Sequence, residues 1–316
     1  MKKFLLASIV LLFGVIHTVA GGAELQGVTV ALVSPSWNTG LPTAVARGAG
    51  FFKEEGLDVR PVTLSSSGPI MMALLMSGHA DLVIAGAVAI LRGISQNAPV
   101  VVVSGHLNRM SYALMSAKGF KTVAALRGKT IGITGIGGMG EFTVVESLRR
   151  SGLVKDRDFT VLNIEGGPAA RIAALKTGKV QAVPLTPGQR VQIENEGYPV
   201  LLDTRESLPE IPSTIIASTK DFTSSSPDKI TRFLRALSRA MELIRRDRDK
   251  AIALGKSQGL RGDLALERKA LDYYADDLDI RLKKENIAAL LKPIGISEPP
   301  QKYFDESFLT RATGLR

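Results

Sequence analysis

Short apolar runs alternate with stretches of helical periodicity along most of the chain. The run Val-Thr-Val-Ala-Leu-Val at 28–33 reads as a strand, followed by a helix over 41–55 that Gly56 ends. The pattern repeats as strand 57–64 and helix 70–77 ending at Gly78, then strand 81–85 and helix 88–95. The fourth strand, 100–104, is almost wholly β-branched and apolar, as a strand buried on both faces should be. Strand and helix in this alternation predict a parallel sheet with helices on both sides.

A second series begins after Gly105. Strands are predicted over 112–117, 129–134, 159–164, 180–185, 199–202 and 214–218, and helices over 141–151, 169–177 and 187–196. Gly152, Gly178 and Gly197 close those helices, where a left-handed residue is needed. From Ser224 onward only helices are expected. Ser226-Pro227-Asp228 is a start signal, a hydroxyl cap followed by proline in the first turn, and Ile230, Phe233, Leu234, Leu237, Met241 and Ile244 recur at helical spacing. Further helices are expected near 263–276 and 284–291. The whole predicts an α/β molecule of two similar lobes, each a mainly parallel sheet flanked by helices. Lobe 1 comprises 24–111 plus 215–316 and lobe 2 comprises 112–214. The helical tail is placed on lobe 1 because the chain must leave lobe 2 through the strand at 214–218.

The first residues stand outside this pattern. Lys2 and Lys3 precede an apolar run over 4–16, and Thr18, Ala20, Gly21, Gly22 and Ala23 follow. This is the layout of a secretory signal peptide, assigned here to 1–22, and the run is shorter than the ~20 residues of a membrane span. No later apolar stretch is long enough to cross a bilayer, so an exported, soluble, periplasmic protein is expected. The chain has no cysteine, which removes disulfides, thiolate metal sites, cysteine nucleophiles and a lipid-anchoring cysteine. The formal charge is +10, from 40 basic and 30 acidic residues, and loss of Lys2 and Lys3 lowers it by two. The basic residues are scattered among acids, which reads as a solvated surface with a mild bias toward anions; no nucleic-acid partner is expected.

In open parallel sheets, ligands bind beyond the carboxyl ends of the strands. Those positions hold Ser34, Trp37 and Asn38 after the first strand, Ser66, Ser67 and Gly68 after the second, and Gly86 and Ala87 after the third. In the second series they hold Gly137, Gly138, Met139 and Gly140, then Gly167 and Pro168, then Thr186. Such Ser-, Thr- and Gly-rich loops lead into helix N-termini, whose free N–H groups and partial positive charge suit an anion or a carbonyl oxygen. Any one loop could be ordinary capping; together they predict a binding cleft. Gly135-x-Gly137-x-x-Gly140 formally fits a dinucleotide fingerprint, but no acid ends a ribose-binding strand at the right distance, and no Walker loop is present. No cofactor or metal is expected.

Catalysis has little support. His79 stands at a helix end, and His106 follows a strand and could line a cleft, but a structural role is expected for both. No G-x-S-x-G or H-E-x-x-H motif occurs. Asp156 and Asp158, like Asp276-Asp277, read as solvated acids. Arg109, Arg171 and Arg190 are possible anion partners, with an ion pair as the alternative for Arg171.

The run Ala46-Arg47-Gly48-Ala49-Gly50-Phe51-Phe52-Lys53-Glu54-Glu55-Gly56-Leu57-Asp58-Val59 resembles the A-x-x-x-G-F-F-K-x-E-G-L-D-V motif of the nitrate/sulfonate/taurine-type substrate-binding proteins of ABC transporters. Leu75-Met76-Ser77-Gly78 with Asp81, Leu126-Arg127-Gly128-Lys129-Thr130-Ile131-Gly132, Gly166-Gly167-Pro168-Ala169-Ala170-Arg171 and Tyr303-Phe304-Asp305-Glu306-Ser307-Phe308-Leu309 are similar in turn. The resemblance implies a type II periplasmic-binding-protein fold with crossover strands at 112–117 and 214–218. It implies no chemistry: a small-molecule ligand is captured by lobe closure, and a monomer docks on a membrane permease. The loop at Gly137–Gly140 departs from the family in having fewer hydroxyls, which weakens the case for sulfonate or nitrate. Trp37 and Met139 could contact an apolar part of a ligand or pack in the core. The thiamine-pyrimidine synthases share the fold and the Gly-Phe motif but resemble an enzyme with an iron site and a cysteine-rich motif. A binding protein of a TRAP-type carrier is a nearer alternative.

Overall fold

A computed structural model describes residues 24–34, 36–64 and 68–314. The expected signal peptide at 1–22 lies outside the described residues, as do Ser66 and Ser67. The strands in chain order are β1 (Gln26–Leu32), β2 (Leu57–Thr63), β3 (Leu82–Gly86), β4 (Val100–Leu107), β5 (Ala113–Ser116), β6 (Lys129–Ile133), β7 (Phe159–Asn163), β8 (Ala182–Leu185), β9 (Val200–Asp203) and β10 (Thr214–Thr219). They form two five-stranded sheets, β2-β1-β3-β10-β4 and β7-β6-β8-β5-β9. The first sheet is parallel through β2, β1 and β3, and β10 runs antiparallel between β3 and β4. In the second, β6 is parallel to β7 and β8, while β5 is antiparallel to β8 and β9. Each sheet thus contains one reversed strand, β5 or β10, laid down where the chain has just crossed from the other lobe.

The period-2 alternation of a strand puts successive side chains on opposite faces, and each sheet is buried on both. On one face of the first sheet, Val30, Leu32, Ile84 and Ile216 pack against the helices Trp37–Gly48 and Pro227–Arg246. On the other, Ala31, Val83, Ala85, Ile215 and Ala217 pack against Gly68–Met76, Ala87–Ser95 and Lys284–Leu291. The second sheet divides in the same way, with Ala113, Met115, Val183 and Leu185 on one face and Leu114, Ile131, Ile133 and Ala182 on the other. Helix Pro227–Arg246 buries Ile230, Phe233, Leu234, Leu237, Met241 and Ile244, and the ring of Phe233 stacks on Phe52 at 5.2 Å between centroids.

Several elements differ from their sequence expectation. The helix expected over 41–55 is two helices, Trp37–Gly48 and Phe51–Glu54, separated where Gly50 turns left-handed at φ 80°. Strand β4 does not stop at Ser104 but runs on through Gly105 and His106 to Leu107. Gly105 is required there because a Cβ would lie 2.8 Å from the Asp279 carbonyl oxygen. The stretch 263–276 forms one helix, Leu264–Ala270, followed by 3-10 turns at Leu271–Tyr273 and Ala275–Asp277. The helices Lys220–Ser225, Arg248–Ser257 and Ser307–Thr313 were not foreseen. Asp158 is buried rather than solvated: it accepts from Arg127, from Arg157 and from the Val154 N–H. These three donors hold its carboxyl at about 2, below the usual aspartate range. Among the described residues no helix is long and apolar enough to cross a membrane.

Candidate functional site

The carboxyl ends of β1 and β8 face a shared cavity of about 190 Å³. Ser34, Ser36, Trp37 and Asn38 of the first lobe line it together with Thr186, Gly188 and Gln189 of the second, and Arg261, Glu267 and Tyr274 of the helical tail complete the wall. For scale, an apolar cavity of ~150 Å³ in another protein admits benzene. Of the residues expected from sequence, the cavity brings together Ser34, Trp37, Asn38 and Thr186.

The helix Trp37–Gly48 starts at the cavity, and no side chain caps its first turn. Pro42 lies inside it and brings no N–H to the Asn38 carbonyl, so that carbonyl has no helical partner. Trp37 belongs to the core more than to the cavity: it is 2% exposed, and its Nε1–H donates to the Arg261 carbonyl at 2.8 Å. Across the cavity, the Thr186 N–H is satisfied internally by Gln189 Oε1 at 3.2 Å.

Beside the cavity the lobes touch. A Cβ on Gly86 would lie 2.9 Å from Cβ of Met139, so the second lobe's Met139 sits directly on the end of β3. Met139 and Ala87 are buried in the same apolar cluster. Arg92 of the first lobe donates to the Gly137 carbonyl at 2.9 Å. The glycine loop itself is spoken for. The Gly135 N–H goes to Asn163 Oδ1 at 2.9 Å, the Gly137 N–H to Glu141 at 2.7 Å, and a Cβ on Gly140 would strike the Thr134 carbonyl at 2.9 Å. Gly138 stands at the N-cap of helix Met139–Arg150. These glycines permit close backbone packing and a seam between lobes, which answers the dinucleotide pattern in structural terms. Gly68 also serves close packing, since a Cβ there would meet Ala89 Cβ at 2.2 Å. Gly167 begins helix Gly167–Lys176 from a left-handed turn with Gly166, and Pro168 follows it; Gly167 does not line the cavity.

On the opposite side, Gly188 receives the carboxyl group of Glu267, whose oxygens would lie 2.6 and 2.9 Å from a Cβ. Arg190 pairs with Asp203 at 2.5 Å and stacks on Tyr273 at 4.4 Å. Arg205 donates to the Tyr273 carbonyl at 2.8 Å and pairs with Asp277 at 3.2 Å. Arg190 is therefore an ion-pair partner. Arg171 is 5% exposed and has no hydrogen bond or ion pair among the described residues. His106 lies inside β4, fully buried, with Nδ1 2.8 Å from the Thr214 hydroxyl. Burial lowers its pKa to about 3, so it is a neutral structural group and not a cleft acid or base.

Glu267 and Tyr274 were not foreseen. Burial, and secondarily the charge of Asp263, raise the Glu267 pKa to about 7. The Tyr274 hydroxyl is buried without a partner, and burial with the nearby Glu267 raises its pKa. Nothing in the local sequence distinguishes Glu267 from an exposed helical acid, because its burial comes from Gly188 of the other lobe.

A folded pKa near 7 against an ordinary 4.5 means that stability is fully present at low pH, falls between 4.5 and 7, and stays at its lower level above that. Glu267→Gln removes this slope. It is expected to raise stability at pH 8 by about 2–3 kcal/mol and to leave it nearly unchanged at pH 4.5, read from urea unfolding across that range. A variant curve parallel to wild type would show that Glu267 is solvated in solution.

Two α/β lobes, each with a reversed crossover strand and with a cavity between their strand ends, define the type II periplasmic-binding-protein fold. The chain belongs to the NMT1/THI5-like family, whose pattern matches residues 38–251. A Brucella abortus protein named as a binding protein is 26% identical over 202 residues, which cover 64% of this chain and 56% of that one. The match therefore spans little more than half the length of this curated relative. The 4-amino-5-hydroxymethyl-2-methylpyrimidine phosphate synthase THI13 of Saccharomyces cerevisiae is 23% identical over 227 residues, 67% of this chain and 65% of its own. Among solved structures, the periplasmic nitrate-binding protein NrtA from Synechocystis PCC 6803 superposes with a TM-score of 0.76 at 15% identity, over 93% of this chain and 90% of its own. The alkanesulfonate-binding protein SsuA from Xanthomonas axonopodis pv. citri, bound to MOPS, gives 0.69 at 20% identity, over 84% and 90%. At these identities the likeness to the two structures is one of fold.

Proposed function

We propose that this protein is the solute-binding component of an ABC importer. It captures a small, anionic solute between its lobes in the periplasm and, as a monomer, delivers it to a membrane permease. The observation that carries this reading is the cavity at the strand ends, walled by Ser34, Ser36 and Asn38 from one lobe and by Thr186, Gly188 and Gln189 from the other. Residues contributed from both sides close on a guest without any acting as nucleophile or base. In this reading lobe 1 is 24–111 plus 215–316 and lobe 2 is 112–214. Gly86, Ala87 and Met139 form the closing seam with Gly137, Gly138 and Gly140. Gly68, Gly167 and Pro168 are assigned to the rim by their sequence position after a strand, and Ser66 and Ser67 lie outside the described residues. The solutes named for NrtA and SsuA, nitrate and alkanesulfonate, support an oxyanion as the cargo. The absence of cysteine separates the chain from a synthase with a cysteine-rich motif, despite the relationship to THI13.

Native mass spectrometry of the purified protein is expected to show a carried-over small molecule. Returning that molecule to stripped protein should raise the melting temperature by mass action. A protein that arrives empty and whose melting is unmoved by anions, amino acids or aromatic acids would sink the proposal. Turnover of a bound compound would move it to the enzyme class, and permease genes of TRAP type beside its own would assign it to that carrier.

A further inference from the structure

The second lobe holds a buried cation with nothing among the described residues to neutralise it. Arg171 is 5% exposed, forms no hydrogen bond or ion pair with any described residue, and has its Nε sealed from solvent without an acceptor. The other arginines considered as anion partners differ: Arg190 has two carboxylates and Tyr273 around it, and Arg109 is half-buried near Asp277. Among the described residues no carboxylate acts on Arg171, and its one electrostatic neighbour there is the hydroxyl of Tyr112, itself pushed to a higher pKa first by burial. Guanidinium does not escape such a site by losing its proton, so the charge stays and awaits a partner.

Arg171 and Tyr112 do not line the cavity themselves, but the register of the second sheet sets them beside its wall. Arg171 lies in helix Gly167–Lys176, just beyond the left-handed turn at Gly166 and Gly167. Helical side chains lean toward the N-terminus, which brings the guanidinium back to the carboxyl edge of the second sheet. Tyr112 marks the same edge: it precedes Ala113 of β5, which pairs with Leu185 of β8, the residue before Thr186 in the cavity wall. Glu267 carries a carboxyl group on the far wall, which above its pKa of about 7 is charged and turns an anion away from that side. We infer that Arg171 receives the charged end of the captured solute, its guanidinium and the Tyr112 hydroxyl together holding an oxyanion such as a carboxylate, sulfonate or nitrate. This rests on the solute-capture reading and adds to it the residue that holds the solute's charge. Arginine's planar fork suits such groups, and the bonds are charge-assisted.

The test is Arg171→Met on protein stripped by unfolding and refolding. Sodium acetate, methanesulfonate and nitrate serve as probes, with sodium chloride at equal ionic strength as reference. At least one probe is expected to raise the wild-type melting temperature by several degrees. In Arg171→Met that shift should vanish, with affinity reduced on the order of 100-fold. In chloride alone the variant should melt at or above wild type, because it has lost an unpaired buried charge and no bond. Arg171→Lys should keep part of the oxyanion shift. A variant that retains the full shift, or that melts far below wild type in chloride, would overturn the assignment, the second by showing that the arginine is structural. Absence of any oxyanion shift in wild type would also overturn it. A neutral or cationic molecule carried by the purified protein would overturn this inference while leaving solute capture standing, whereas an empty and unresponsive protein removes both.

Discussion

Gly86→Leu is expected to leave the solute-free protein folded, with its melting temperature nearly that of wild type, while lowering solute affinity on the order of 10–100-fold. The expectation follows from the seam. A single Cβ on Gly86 already approaches Cβ of Met139 to 2.9 Å, and that atom, fixed to the backbone, cannot swing aside. A larger side chain must hold the lobes apart. Gly86 has φ −60° and ψ 131°, which any residue adopts, so the substitution strains nothing within its own lobe. Calorimetry with the carried-over solute gives the affinity and a melting curve gives the fold. Unchanged affinity would mean that capture does not need this contact, and a collapsed melting curve would mean that Gly86 matters for folding first.

Trp37→Ala should cost more stability than any change at the cavity's polar residues, about 3–5 kcal/mol, with a fall in melting temperature on the order of 10 °C. Trp37 sits at the very start of the helix whose first turn opens on the cavity, yet its ring is packed inward. A Cβ on Gly255 would lie 2.7 Å from the indole and 2.9 Å from Leu41. The indole N–H fastens the loop at Arg261, so the residue ties the helix Trp37–Gly48 to the wall segment 261–267 that also carries Glu267. Trp37→Phe keeps most of the packing and loses only that bond. It should therefore cost about 1 kcal/mol. Denaturant unfolding of both variants separates the two roles; a mild loss for alanine would place the indole in solvent or on the solute instead.

The strands were legible because their chemistry is local. The β-branched run at Val100–Val103 and the short apolar runs in β1, β3 and β10 announce strands buried on two faces. Helix ends were legible where glycine takes a left-handed turn, as at Gly56 and Gly178, with φ 71° and 74°. The start of the helix at Trp37 was not, because Gly40 and Pro42 are poor helix formers, and what overrides them is tertiary. Leu260 packs where a side chain on Gly40 would sit, and the buried Trp37 anchors the first turn. The continuation of β4 through Gly105 was hidden for the same reason, since only the approach of Asn108 and the Asp279 backbone requires glycine there. Of the candidate site, the loops after strands could be named from the order of elements alone. The wall supplied by the tail could not, because Glu267 and Tyr274 reach the cavity only once helix Leu264–Ala270 packs against Pro187–Asn195 of the other lobe.

The position of β10 between β3 and β4 governs the order in which the molecule can be assembled. During synthesis the first hundred residues emerge with β4 unable to join its sheet, since the strand that bridges it to β3 is encoded at 214–219. The second sheet, by contrast, is drawn wholly from the uninterrupted stretch 113–203 and can complete itself as soon as that stretch is free. A nascent chain halted short of residue 214 would therefore carry a finished half beside an unfinished one, and the final third of the polypeptide acts as the key that locks the beginning into place.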